Sequence, residues 1–198
     1  MRGSSLILKY ILTKLSQILQ VIVGSIGLVY TAKYYPLRFH LCRMLTRLSA
    51  ECGRFVPVLP HYLEVLDTHN FNKKTTKVSM RPVDFSCILR VSKSQMLENG
   101  TKDAAVDGVY RGVLDYLSSQ SHKIAYPELI VPCVVQLKAF LKKSKVANYS
   151  KKMKQLVEKL EENSRFICQK RKAVTFSVGD AEKIENWEKE VWNMDRLF

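Results

Sequence analysis

Residues Tyr126–Lys172 read YPELIVPCVVQLKAFLKKSKVANYSKKMKQLVEKLEENSRFICQKRK, and this stretch decides the fold class. Two helices can be drawn on it. The first opens at Pro127, whose fixed φ and missing N–H suit a first turn, where that donor would have no helical partner anyway. From Leu129 to Leu141 its apolar residues, among them Ile130, Val131, Val134, Val135 and Leu137, fall on nearly every side. A helix apolar all round needs cover on most sides, so this one is expected in the middle of a layer. The second runs from about Ala147 to Lys170, with Tyr149, Met153, Leu156, Val157, Leu160 and Ile167 at three- and four-residue steps. That is one stripe, with Lys and Glu on the remaining surface, so this helix should lie against the first with a charged back.

Outward from that pair the same grammar recurs. Pro36 opens a helix with Leu37, Leu41, Met44, Leu45 and Leu48 on one face and Arg38, Arg43 and Arg47 elsewhere, and Gly53 stands where a left-handed cap is wanted. Pro57 and Pro60 open another, carried by Leu59, Leu63, Val65 and Leu66 to about Thr68. A further pattern resumes near Thr101, with Val106, Val109, Tyr110, Val113, Leu114 and Leu117 on one face. Near the start, Leu8, Ile11, Leu12, Leu15, Ile18, Leu19 and Ile22 recur at helical spacing, and Gly24 and Gly27 predict a break between two helices. Asp180 is a suitable N-cap for a short acidic helix holding Ile184, Trp187, Val191 and Trp192. Proline-led starts followed by faces of three or four turns have the rhythm of antiparallel helix pairs.

One region breaks the rhythm. HNFNKKTTKVSMRP (residues 69–82) is polar and without periodicity, and beyond it Phe85, Cys87, Leu89 and Val91 alternate with Asp84, Ser86, Ile88 and Arg90. Such alternation predicts a short strand or an extended arm, and a long connection inside a helical protein suits an arm that orders on binding. The chain thus divides into a helical segment over 1–68, an extended loop or arm over 69–100, a second helical segment over 101–172, and a link with a terminal helix over 173–198.

The totals narrow the function classes. In 198 residues, 32 Lys and Arg stand against 18 Asp and Glu, a formal charge of +14. That excess favours a polyanionic partner, nucleic acid before anionic membrane. Cys42, Cys52, Cys87, Cys133 and Cys168 are widely spaced, and none makes a zinc-knuckle or redox pair, which predicts reduced, buried thiols. Lys9, Lys14, Ser16 and Gln17 interrupt the apolar run Leu6–Tyr30, so a buried helix is expected there. The alternative is a basic membrane-associated protein anchored by that run.

No catalytic, cofactor-binding or metal-ligating constellation emerges. There is no phosphate-binding glycine loop and no nucleophile elbow, and His40, His61, His69 and His122 stand singly. Glu158, Glu161 and Glu162 lie among lysines and arginines at helical spacing, and i,i+4 pairing such as Glu161 with Arg165 explains them. The basic clusters say more. Lys142, Lys143 and Lys145 end one helix, where the dipole favours them. Lys151, Lys152 and Lys154 open the next, where the dipole does not, and Lys170, Arg171 and Lys172 close it. From Leu141 to Lys172 eleven cations face three glutamates, more than half of the chain's excess, which predicts a ridge contacting RNA phosphate or an acidic partner. Trp187 and Trp192, five residues apart on the acidic helix, are candidates for core closure or for protein-partner contact.

With these residues in view the chain resembles the nucleolar complex protein 2 family of eukaryotic ribosome-assembly factors. The resemblance rests on YYPLRFHLCRML (34–45), FVPVLPHYLEVL (55–66), RPVDFSCILRVSK (81–93), YPELIVPCVVQLKAFLKKSKVANYSKKMKQL (126–156) and ENSRFICQKRKAVTFSV (162–178), in order and at similar gaps. Family members are longer, so the chain looks like a C-terminal-side portion. The resemblance implies an all-α solenoid of HEAT- or armadillo-like antiparallel repeats with one long, partly extended loop. It also implies a non-enzymatic scaffold of the nucleolus and nucleoplasm, without cofactor, small-molecule substrate or membrane. Such a scaffold would pair with nucleolar complex proteins 1 and 3 during maturation and intranuclear transport of large-subunit precursors, with rRNA as a direct contact for the basic ridge.

Overall fold

The computed structural model of the chain describes residues 2–73, 82–177 and 179–193, with side chains from residue 13 onward. Among the described residues seven α-helices follow one another: α1 (Arg2–Leu28), α2 (Tyr35–Cys52), α3 (Leu59–Thr68), α4 (Asn99–Ser119), α5 (Tyr126–Lys143), α6 (Ala147–Arg171) and α7 (Ala181–Asn193). Among the described residues there is no strand, so the protein is all-α.

The proline-led starts are where local chemistry puts them. Pro36, Pro60 and Pro127 each occupy the first or second position of α2, α3 and α5. Gly53 caps α2 with a φ of 61°, a left-handed conformation that a Cβ would oppose. Gly24 and Gly27 do not break α1, which runs through both. A glycine costs an exposed helix only about 1 kcal/mol, and neighbouring turns absorb that.

Direction and neighbours follow from the contacts. Tyr149 meets Asp103, Lys152 meets Asp107 and Asn163 meets Ser121, so α6 runs the same way as α4. Phe39 of α2 lies against Gly108 of α4. Arg171 reaches Glu128 and Lys138 reaches Glu161, so α5 and α6 are antiparallel. Tyr62 of α3 packs on Gly112 and Tyr116 bonds the Val56 carbonyl at 2.6 Å, which sets α3 antiparallel to α4. Two layers result, with α2, α4 and α6 side by side in one and α3 and α5 in the other. α1 packs on α2, and α7 closes over the α4–α5 turn through Glu188, which accepts from Lys123 and from the Ile124 N–H at 3.0 Å.

The core between the layers is lined by the stripe read for α6, whose Tyr149, Met153, Leu156, Val157, Leu160 and Ile167 are all buried. α2 departs from its predicted face. Its buried row is Tyr35, Arg38, Phe39, Cys42, Leu45 and Ser49, while Met44 is exposed. The glycines at 108 and 112 decide this, because a helix without side chains at two successive turns admits the Phe39 and Tyr62 rings. α5 also departs: Ile130, Cys133, Leu137 and Phe140 are buried, but Val131 and Val135 face solvent. Three of the five cysteines, Cys52, Cys87 and Cys168, are exposed rather than buried, and all five are free thiols. Burial pushes the Cys42 and Cys133 thiols up to about 12.

The arm is an ordered strap where it is described. Residues 74–81 lie outside the described residues, but Phe85 and Val91 are core residues. Val91 donates to the Lys33 carbonyl at 2.8 Å, and the Leu89 carbonyl accepts from Leu37 at 3.2 Å. The expected strand is absent because Phe85–Val91 has no second strand beside it. Its polar backbone is satisfied by isolated bonds to α2 and to the short turn before it, and Cys87 and Leu89 point outward. Among the described residues no helix is long and apolar enough to cross a membrane, so the membrane-associated alternative finds no spanning segment there.

Candidate nucleic-acid interface

The nine basic residues named from sequence separate into two groups at the ends of α6, whose 25 residues make it about 37 Å long. At the near end α5 finishes with Lys142 and Lys143, and a short turn carries Lys145 into α6. The turn is held from outside. Asn72 donates to the Lys143 carbonyl at 2.8 Å, and its side-chain oxygen accepts from the Lys145 N–H at 2.7 Å. Phe71 anchors that clamp, buried with its ring edge-on to Phe140 at 5.8 Å and to Tyr149 at 6.0 Å.

The clamp also brings in cations that sequence reading missed. Lys102, on the first turn of α4, is buried and donates its Nζ to the Lys73 carbonyl. Burial, with Lys73 adding to it, holds the Lys102 ammonium below its ordinary value. The corner therefore gathers Lys73, Lys102, Lys142, Lys143 and Lys145, with Lys151 one turn further along α6. Among the described residues no carboxylate pairs with Lys142, Lys143, Lys145 or Lys151, and all four are exposed. Nothing in residues 69–73 announces a clamp except Phe71, an aromatic set alone in a polar run.

The other members are partly engaged. Lys152 bonds Asp107 and lies over the Tyr110 ring, its Nζ 5.8 Å from the centroid. Lys154 makes a loose i,i+4 pair with Glu158 at 3.9 Å. At the far end Arg171 grips both carboxylate oxygens of Glu128, at 2.7 and 3.0 Å, which holds the Glu128 carboxyl below its ordinary value. Lys170 lies 5.5 Å from the Phe166 ring centre, and Lys172 is exposed. The nine residues do not share one ridge. The near corner is the dense, uncompensated group. Glu161 pairs with Lys138 across the helices at 2.7 Å rather than with Arg165, whose Nε instead donates to the Glu161 backbone carbonyl.

Trp187 is half-buried against the core, whereas Trp192 is exposed and meets His122 edge-on, with ring centres 4.7 Å apart. Among the described residues no group of histidine, cysteine and carboxylate side chains is placed to hold a metal.

His69, beside the corner, and His61, on α3, share a pH consequence. Burial lowers both imidazoles from the ordinary 6.5, and nearby cations, Lys102 and Arg38 respectively, push the same way. The unfolded chain therefore binds protons that the folded chain resists, and stability falls as pH drops through 6.5 toward the folded values. Urea midpoints measured at about pH 7.5 and about pH 5.5 should decrease with acid, and a His61→Asn/His69→Asn variant should flatten the difference.

The family model described as the Noc2p family matches residues 8–196. Nucleolar complex protein 2 of Drosophila melanogaster is 43% identical over 173 residues, covering 86% of this chain and 23% of that protein. Nucleolar complex-associated protein 2 of Arabidopsis thaliana is 35% identical over 161 residues, covering 81% of the chain and 21% of its own length. A nucleolar complex protein 2 homolog of Caenorhabditis elegans is 27% identical over 154 residues, 76% of the chain and 22% of the homolog. The chain spans about a quarter of the length of the curated relatives it matches. A family model matching residues 8–196 and a relative 43% identical over 86% of the chain decide the family: the chain belongs to the Noc2p family.

Proposed function

We propose that the chain is a non-enzymatic scaffold segment acting in ribosome biogenesis in the nucleolus and nucleoplasm. In this reading its alternating layers are HEAT- or armadillo-like repeats. They would hold related nucleolar complex proteins 1 and 3 and carry large-subunit precursors during assembly and intranuclear transport. The Drosophila, Arabidopsis and Caenorhabditis elegans relatives are named for a nucleolar complex, which supports the nucleolar location and the role in ribosome biogenesis. The observation that carries the reading is the near corner of α5 and α6, where exposed lysines without carboxylate partners stand on a turn pinned by Asn72 and Phe71. A rigid, uncompensated cation cluster is suited to RNA phosphate, whose contact is sequence-independent and releases counterions. Lys170, Arg171 and Lys172 would make a weaker second contact, since Arg171 is already spent on Glu128. Trp187, half-buried against the core, suits core closure, and Trp192, exposed while packed edge-on to His122, is the candidate protein-partner contact.

Lys142→Glu/Lys143→Glu/Lys145→Glu tests the corner. In the intact protein it should lower RNA affinity and flatten the dependence of log K on log salt by about 2 units for single-stranded RNA, three contacts at roughly 0.7 each. Co-sedimentation with large-subunit precursors should fall in parallel. An unchanged salt slope and unchanged sedimentation would remove the corner from the function.

A further inference from the structure

The rings behind the corner lysines are closed to a ligand. Phe71, Phe140 and Tyr149 pack edge-on to one another behind the α5–α6 turn, and all three are buried. The Tyr149 hydroxyl is spent on Asp103, to which it donates at 2.6 Å. Asn72 likewise commits its side-chain nitrogen and oxygen to the backbone of Lys143 and Lys145. A ligand that meets Lys142, Lys143, Lys145 and Lys151 finds ammonium groups there and none of these rings open to it.

That surface suits one form of RNA better than the other. Single strands are held largely by stacking their bases on exposed rings, whereas a double helix is held through its phosphates and shape. A double helix also carries about one phosphate per 1.7 Å of axis, twice the density of either strand alone. The lysines are close enough together to use it. Lys151 lies about 6 Å along α6 from its start, and packed helices such as α5 and α6 have axes about 8–10 Å apart. Carboxylates on the elements that build the corner do not cancel the charge. Asp107 is paired with Lys152, Asp103 accepts from Tyr149, and Asp67, which shares a pocket with Lys143, accepts from Gln136 at 3.5 Å. Even with Asp67, Asp103 and the N-cap Glu98 of α4 counted in full, the exposed Lys73, Lys142, Lys143, Lys145 and Lys151 leave the corner positive.

The patch is also fixed before a ligand arrives. Asn72 pins the residues on both sides of Ser144, and Lys102 holds the Lys73 carbonyl. Charges fixed in advance favour a stiff rod, whose phosphates cannot move to meet them, over a strand that bends to wherever the lysines are. Resting on the reading of the corner as an RNA contact, we infer that it takes double-helical RNA through its phosphates in preference to single strands. Asn72 is then a positioning residue that sets the lysine spacing without touching the RNA.

The test compares binding of the intact protein to an RNA duplex of about 20 base pairs and to an unstructured strand of about 20 nucleotides, with salt titrated between about 0.05 and 0.2 M. The duplex should bind about tenfold tighter. Lys142→Glu/Lys143→Glu/Lys145→Glu should flatten the duplex slope of log K on log salt by about 3 units, three contacts at roughly 0.9 each, against about 2 for the strand. Asn72→Ala, at an exposed position, should weaken the duplex about fivefold and the strand less than about twofold. A thermal melt checks that this variant folds, and the ratio of duplex to strand binding in the unaltered protein needs no variant. Equal or tighter binding of the strand overturns the inference, as does equal weakening of both ligands by Asn72→Ala. If the lysine variant weakens both ligands while the strand binds as well as the duplex, the corner remains an RNA contact and only the duplex preference fails. If it changes neither, the corner reading fails and the duplex preference with it.

Discussion

Gly112→Ala destabilises the protein by about 2–3 kcal/mol, although the same change in an exposed helix stabilises it by about 1 kcal/mol. The sign turns on what the new methyl meets. At Gly112 it would overlap the Tyr62 ring, and at Gly108 it would overlap Phe39. Neither ring has room to retreat. Tyr62 and Phe39 are 1% and 4% exposed, with ring centres 5.8 Å apart, and Phe39 also touches Phe85 of the strap at 5.9 Å. For Gly112→Ala relief therefore requires α3 to move away from α4, which loosens the contact between the two layers. For a chain of this size the loss corresponds to a fall in Tm of about 4–12 °C. Gly24→Ala is the control, because a Cβ there meets nothing within 4 Å, and it should be neutral or slightly stabilising. Thermal melts followed by far-UV circular dichroism measure both. Equal melting temperatures for Gly112→Ala and Gly24→Ala would show that the layers are not locked through these glycines.

The second large effect is expected at Arg38, which is 1% exposed in the first turn of α2. Its Nε donates to the His61 carbonyl at 2.8 Å, and its Nη2 pairs with the Glu64 carboxylate, tying α2 to the first two turns of α3. Arg38→Ala leaves a cavity, an unpaired carbonyl at His61 and a carboxylate without its cation, and should cost about 3–5 kcal/mol. Glu64→Gln keeps the shape and removes only the negative charge. Glu64 is half-exposed, and water replaces part of what is lost, so about 1–2 kcal/mol is expected. Arg38→Met, which fills the space without a charge, should fall between the two. Urea unfolding of the three variants reads this order. If Arg38→Met were nearly neutral, packing rather than the ion pair would be what Arg38 supplies.

Which parts of this architecture were legible beforehand follows from the range of the forces involved. The α5–α6 pair was legible almost to the residue: a start at Pro127 against Tyr126 observed, and a second helix over Ala147–Lys170 against Ala147–Arg171. Prolines, helix periodicity and the glycine cap act within one or two turns, so they are written in neighbouring letters. The α2 face was misread because that helix carries apolar residues on several sides, and only the glycine track on α4 selects the Phe39–Cys42–Leu45 row. Alternation in Phe85–Val91 suggested a strand, but strand formation needs a partner edge, and α2 offered isolated carbonyls and amides in its place.

The site shows the same division. Composition and local charge by themselves determined that the protein is helical, strongly basic, and most basic around the α5–α6 junction, because net charge and periodicity are sums over adjacent residues. The tertiary structure decided which lysines are uncompensated. Asp107 and Glu128 reach Lys152 and Arg171 from other helices, while Asn72, 71 residues before Lys143, pins the turn that presents the rest. It also decided that α5 keeps an exposed apolar face at Val131 and Val135, which a single helix pattern cannot show, since cover is supplied by neighbours distant in sequence.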